Sequence, residues 1–107
     1  MTEKMYIRNM TKDYPRILKK LEDYVRYCLR CLHRVGIHPT PTDFALLSFV
    51  RKNNRLAEAV VYPANSIKQD EIFNPLFFYG FKAEYNFTNL EYPIEIIFSE
   101  DYDELRN

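Results

Sequence analysis

A chain of 107 residues with 47% apolar and 28% charged side chains has the make-up of one globular domain, large enough to bury about two thirds of its unfolded surface without disulfide or metal staples. Two glycines in the whole chain exclude a glycine-rich phosphate loop, and a formal charge of zero argues against a strongly basic nucleic-acid-binding domain. That neutrality hides a division. Twelve Lys and Arg stand against five acids up to Arg55, and three stand against ten from Leu56 onward, so a half carrying +7 precedes a half carrying −7.

The first ten residues carry charges and no apolar run, so no secretory signal is expected. No stretch has the length of a membrane span. The expectation is a cytoplasmic protein with no membrane contact and with both cysteines as free thiols. The two Asn-x-Thr triplets, at Asn9 and Asn86, are then chance matches. Residues 5–10 alternate in part and read as an edge strand or a simple lead-in.

From Asp13 to Val35 the pattern is that of one long helix. With Tyr14 at position a of a heptad, the a and d positions are Tyr14, Ile17, Leu21, Tyr24, Cys28, Cys31 and Val35, and the e positions add Leu18, Val25 and Leu32. Thr11 or Asp13 serves as cap, Pro15 fits the first turn, and Gly36 stands where a helix stop belongs. Thr40, Pro41 and Asp43 make a near capping box and predict a second helix over 41–53, apolar nearly all round. Strands are predicted over 56–62, 76–87 and 93–98. In the second of these, Phe77, Tyr79, Phe81, Ala83, Tyr85 and Phe87 alternate toward one face, with Gly80 as a mid-strand bulge. The acidic tail 99–107 is expected to fray or to cap the fold with a short turn. These elements predict a two-layer, single-domain α+β fold, with two helices (one long) packed on a three-stranded antiparallel sheet.

Cys28-Leu29-Arg30-Cys31, followed by His33 and His38, raises the possibility of a zinc or redox module at Cys28 and Cys31. Against it, the two thiols sit on the apolar stripe and His33 on the opposite side of the same helix. The simpler reading is two small buried thiols with no metal and no cofactor. The acid pairs Asp70/Glu71 and Glu100/Asp101 fall in loop-like segments with nothing to desolvate one partner. No nucleophile pattern surrounds either histidine. No catalytic residue is assigned, and the chain is read as a non-enzyme.

The strongest functional signal is the outer face of the long helix. Arg16, Lys19, Lys20, Arg26, Arg30 and Arg34 surround Tyr27, with His33 alongside and Asp23 as the one acid. Nine Tyr exceed what a small core hides, so a tyrosine-bearing contact surface is expected. The reading is a small interaction protein that binds and modulates or inhibits a larger protein or protein complex. Small regulators, immunity proteins and phage-type inhibitors share this general character. The alternative is a nucleic-acid-binding regulator, in which the same cations track phosphates and Tyr27 stacks on a base.

Overall fold

The computed structural model describes residues 14–64 and 68–102 of the chain. Helix α1 spans Pro15–Arg34, with Pro15 in its first turn. The expected caps Thr11 and Asp13, and the lead-in at 5–10, lie outside the described residues. Ile17, Leu21, Val25, Cys28, Cys31 and Leu32 are buried as the stripe requires, and Leu29 joins them from one position round the helix. The stripe ends in partial exposure at Tyr14 and Val35. Gly36 takes φ +84, its N–H bonds to the His33 carbonyl, and the Ile37 N–H bonds to that of Leu32. Those two bonds form a Schellman stop, satisfying carbonyls that the last turn leaves unpaired.

The predicted second helix over 41–53 does not form. Its capping box is present, with the Thr40 N–H donating to the Asp43 carboxylate at 2.8 Å, but it opens only a 3-10 turn at Pro41–Asp43. The chain then extends as β1, Phe44–Lys52, which returns antiparallel as β2, Arg55–Pro63. Asn53 and Asn54 join them in two residues, at φ 52 and 61. Consecutive left-handed residues define the type I′ hairpin turn, and Asn is among the few side chains that tolerate it. Irregularities in the register at Leu47 and Ala57 shift the strand phase, which is why the β1 pattern resembles neither clean alternation nor a helix stripe.

The predicted strand over 76–87 begins as the last turn of a helix, and only its 82–85 portion is strand. Helix α2 spans Gln69–Phe78 and stops in a second Schellman motif. There the Gly80 N–H reaches the Phe77 carbonyl and the Phe81 N–H that of Leu76. Gly80, at φ +84, is therefore a helix stop rather than a strand bulge. Strand β3 covers only Lys82–Tyr85, and β4 spans Ile94–Phe98 as expected. The result is an α+β arrangement with one antiparallel sheet, but the sheet has four strands instead of three, in the order β1-β2-β4-β3. A single hydrophobic cluster ties α1 to Phe44 and Leu46 of β1, Leu56, Ala59 and Val61 of β2, Ile72 and Leu76 of α2, and Ile94, Ile96 and Phe98 of β4.

The described start of the acidic tail takes the short turn, at residues 100–102, rather than fraying. Ser99 and Glu100 are buried, with 4% and 5% of their surface exposed. Glu100 accepts two hydrogen bonds from Arg16, at 2.6 and 3.0 Å, and one from the backbone N–H of Leu56 at 3.0 Å. A carboxylate reaching back to both α1 and the start of β2 fastens the end of the sheet to the helix.

Candidate functional site

Helix α1 turns its apolar stripe to the sheet, and its outer face is therefore set by the residues in between. The eight positions assigned to that face separate into three kinds. Arg16 is committed internally, through its bidentate pair with Glu100 and a 2.8 Å hydrogen bond to the Asn54 carbonyl. Lys19 pairs with Asp23 one turn along, at 2.6 Å, and Lys20 lies over the Tyr24 ring, 5.2 Å from its centroid. Arg26, Arg30 and Arg34 are exposed and form no ion pair among the described residues. Spaced four apart, they climb the helix as one row. Asp23, Arg26, Arg30 and the buried Leu29 line an open hollow on this face.

His33 stands beside the end of this row, its ring 4.8 Å from that of His38 and its Nε2 3.4 Å from the Pro39 carbonyl. Cys28 and Cys31 lie on the other side of the helix, inside the core. Burial pushes the Cys28 thiol up to about 12, with the neighbouring Cys31 adding to the shift. A thiol so held stays protonated and is a poor nucleophile or metal ligand at neutral pH. Among the described residues no three His, Cys, Asp or Glu come together as metal ligands.

Tyr27 joins the cationic row to a second feature that the sequence did not reveal. Its ring, 42% exposed, packs 5.5 Å from that of Phe81. Phe81 meets Phe98 edge-on at 6.3 Å, and Phe98 stacks on Tyr24 at 5.4 Å with the planes 3° from parallel. These four rings wall an open cleft of about 530 Å³ between α1 and the β3–β4 end of the sheet. Asp23, Lys82, Ser99 and Tyr102 supply its polar groups. The Tyr24 hydroxyl donates to the Ser99 carbonyl at 3.2 Å, and the Lys82 ammonium donates to the Tyr102 hydroxyl at 2.9 Å.

The rim charges are fixed in sign. The hydrogen bond from Lys19 holds the Asp23 carboxyl below its ordinary range, and the bond to Tyr102 raises Lys82 above its own. Neither group is tuned to exchange a proton near neutral pH. Ser99 uses its hydroxyl to accept the Asp101 backbone N–H. What the cleft offers is a mostly aromatic wall with anchored polar rims, within the size range of sites for a small ligand or a protruding side chain.

Phe81, Phe98 and Ser99 escaped the sequence reading for one reason. The strand 76–87 turns Phe81 inward, the strand 93–98 ends at Phe98 and Ser99 opens the tail, but none of these readings sets the rings beside Tyr27 around a cleft. Glu100 was the available signal, an acid two residues beyond Phe98 and opposite in charge to the long helix.

A scan against protein-family models finds no match for the chain, and searches of curated proteins and of solved structures find none. Among the described residues no helix is long and apolar enough to cross a membrane.

Proposed function

We propose that the chain is a small non-enzymatic binding protein that occupies a surface of a larger protein or protein complex and thereby modulates or inhibits it. One observation carries this reading. Arg26, Arg30 and Arg34 stay exposed beside Tyr27 and the aromatic cleft, while Arg16 and Lys19 on the same helix are satisfied within the chain. A charged row set next to an aromatic contact combines steering of encounter with the contact area that holds a partner. The partner surface it fits is acidic, with a projecting apolar or aromatic side chain for the cleft.

Affinity capture from native lysate, with the retained protein then tested in purified form, examines this directly. Arg26→Glu combined with Arg30→Glu should weaken the purified pair tenfold or more, equivalent to about 1.4 kcal/mol. An unchanged affinity in the folded variant removes the helix face from the interaction.

The same row, with Tyr27 available for stacking, also favours a nucleic-acid reading. That reading displaces the first if a single-stranded oligonucleotide binds with steep salt dependence and the double charge reversal abolishes the effect. A zinc or redox role at Cys28 and Cys31 would require the core thiols to ionise, and about one zinc per chain after chelator-free purification would restore it.

A further inference from the structure

The largest exposed apolar side chains cluster around one short strand. Phe77 and Phe78, 70% and 80% exposed, lead into β3, and Phe87, 79% exposed, follows it with its ring 5.0 Å from that of Tyr85. The sheet order puts β3 at an edge, paired with β4 on one side and with no described strand on the other. Natural edge strands are usually blunted by charge, bulges or covering elements. The other edge, β1, has its bulge at Leu47. Strand β3 has no bulge and is regularly paired from Lys82 to Tyr85; it is guarded by its four-residue length and by the charges of Lys82 and Glu84, which repel a second copy in any register that opposes like charges.

Its four residues are self-complementary. Lys82 and Glu84 are exposed on one face of the sheet, and Ala83 packs toward the core on the other. Suppose two β3 strands pair antiparallel about a two-fold axis through Ala83. Lys82 of each copy then stands opposite Glu84 of the second copy, twice over, with both side chains on the same face. Centring on Lys82 or on Glu84 would instead oppose like charges. A shift of one residue would set the two copies' helices on opposite faces of the joined sheet. In this register Tyr85 stands opposite Phe81 of the second copy, and the chain leaving β3 toward Phe87 runs beside residues 79–81 of that copy. An exposed aromatic patch of this kind marks an interaction surface.

We propose that β3 is a self-association edge that takes β3 of a second copy, antiparallel about Ala83, and merges two four-stranded sheets into one of eight. The pairing uses no cation of α1, but Lys82 also stands on the cleft rim and donates to the Tyr102 hydroxyl, so Glu84→Lys is the variant that reports on the edge alone.

Sedimentation velocity over a concentration series tests it. The natural chain should dimerise reversibly, and amide exchange across residues 82–85 should slow as concentration rises. Lys82→Glu alone and Glu84→Lys alone should each weaken the dimer about tenfold or more, because each opposes like charges twice. An equimolar mixture of the two variants should recover the dimer, since only the mixed pair restores opposite charges. Circular dichroism on each variant separates loss of pairing from loss of fold. A chain that stays monomeric, with concentration-independent exchange at 82–85, overturns the proposal. So does a dimer indifferent to both reversals, or a mixture that fails to recover it.

Discussion

Arg16 and Glu100, 84 residues apart in sequence, close the fold with two hydrogen bonds from one guanidinium, and the same carboxylate accepts the buried N–H of Leu56. The pair joins the start of the basic half to the end of the acidic half. Part of the charge division in the sequence is therefore spent within the chain, and Arg16 belongs to the scaffold more than to the binding face.

This arrangement makes stability depend on acid pH. The Arg16 hydrogen bonds hold the Glu100 carboxyl down to about 2 from an ordinary value near 4.5; burial opposes them and the Leu56 N–H assists. A carboxyl depressed on folding contributes fully above its unfolded value, and that contribution is lost as pH falls through the folded one. Unfolding free energy should therefore drop by roughly 2 kcal/mol between about pH 5 and pH 2, allowing for screening at the half-exposed Arg16. Denaturant titrations across that range check it, and Glu100→Gln should flatten this part of the profile. At neutral pH, Glu100→Ala should cost about 3 kcal/mol, more than Arg16→Ala, because it also strands the Leu56 amide.

The hairpin at Asn53 and Asn54 supplies a second test. Asn-Gly is the preferred type I′ pair, and both residues here hold left-handed backbone. Asn54→Gly should stabilise the protein or leave it unchanged, within about 0.5 kcal/mol, while Asn54→Val should destabilise it by on the order of 1–2 kcal/mol. Thermal melts of the two variants decide the matter.

What was legible in the sequence follows from the same local physics. The long helix carries one unambiguous period, β4 alternates inward at Ile94, Ile96 and Phe98, β2 is a short apolar run that Pro63 closes, and the helix end at Gly36 carries a specific stop. The segment from Phe44 to Lys52 failed because the capping box Thr40–Asp43 is a true helix-start signal that ends after one turn, and the Leu47 bulge erased the alternation that would have revealed a strand. The segment from Leu76 to Phe87 failed for the opposite reason. Its aromatic residues alternate by sequence, yet Gly80 divides them between a helix and a strand. The cationic row could be read from helix periodicity alone. The cleft beside it could not, because it needs β3 and β4 placed correctly against α1.

Phe81 and Phe77 separate the observed structure from simple alternation, which sets both on one inward face. Phe81 follows the α2 stop, is 8% exposed, and touches both Tyr27 and Phe98. Phe81→Ala should cost about 3–5 kcal/mol, enough to unfold a marginal domain, and Phe81→Leu should retain most of the stability. Phe77→Ala, at 70% exposure, should change stability by less than about 0.5 kcal/mol. Equal losses at the two positions would contradict the α2–β3 boundary.

Tyr27 is placed to divide the binding reading into its two parts. Its ring leans on Phe81 at the mouth of the cleft, one residue from Arg26 and three from Arg30. Charges exposed on a rim act mainly on encounter, and an aromatic that becomes buried on binding acts mainly on residence time. With the captured partner immobilised, Arg26→Glu together with Arg30→Glu should slow association, and the difference from the natural chain should shrink as salt rises. Tyr27→Ala should leave association within about twofold and speed dissociation roughly tenfold or more, the cost of removing a central aromatic contact. Tyr27→Phe should restore most of the residence time, because the ring provides the contact. If Tyr27→Ala changes neither rate in a folded protein, the cleft lies outside the interface and only the arginine row engages the partner.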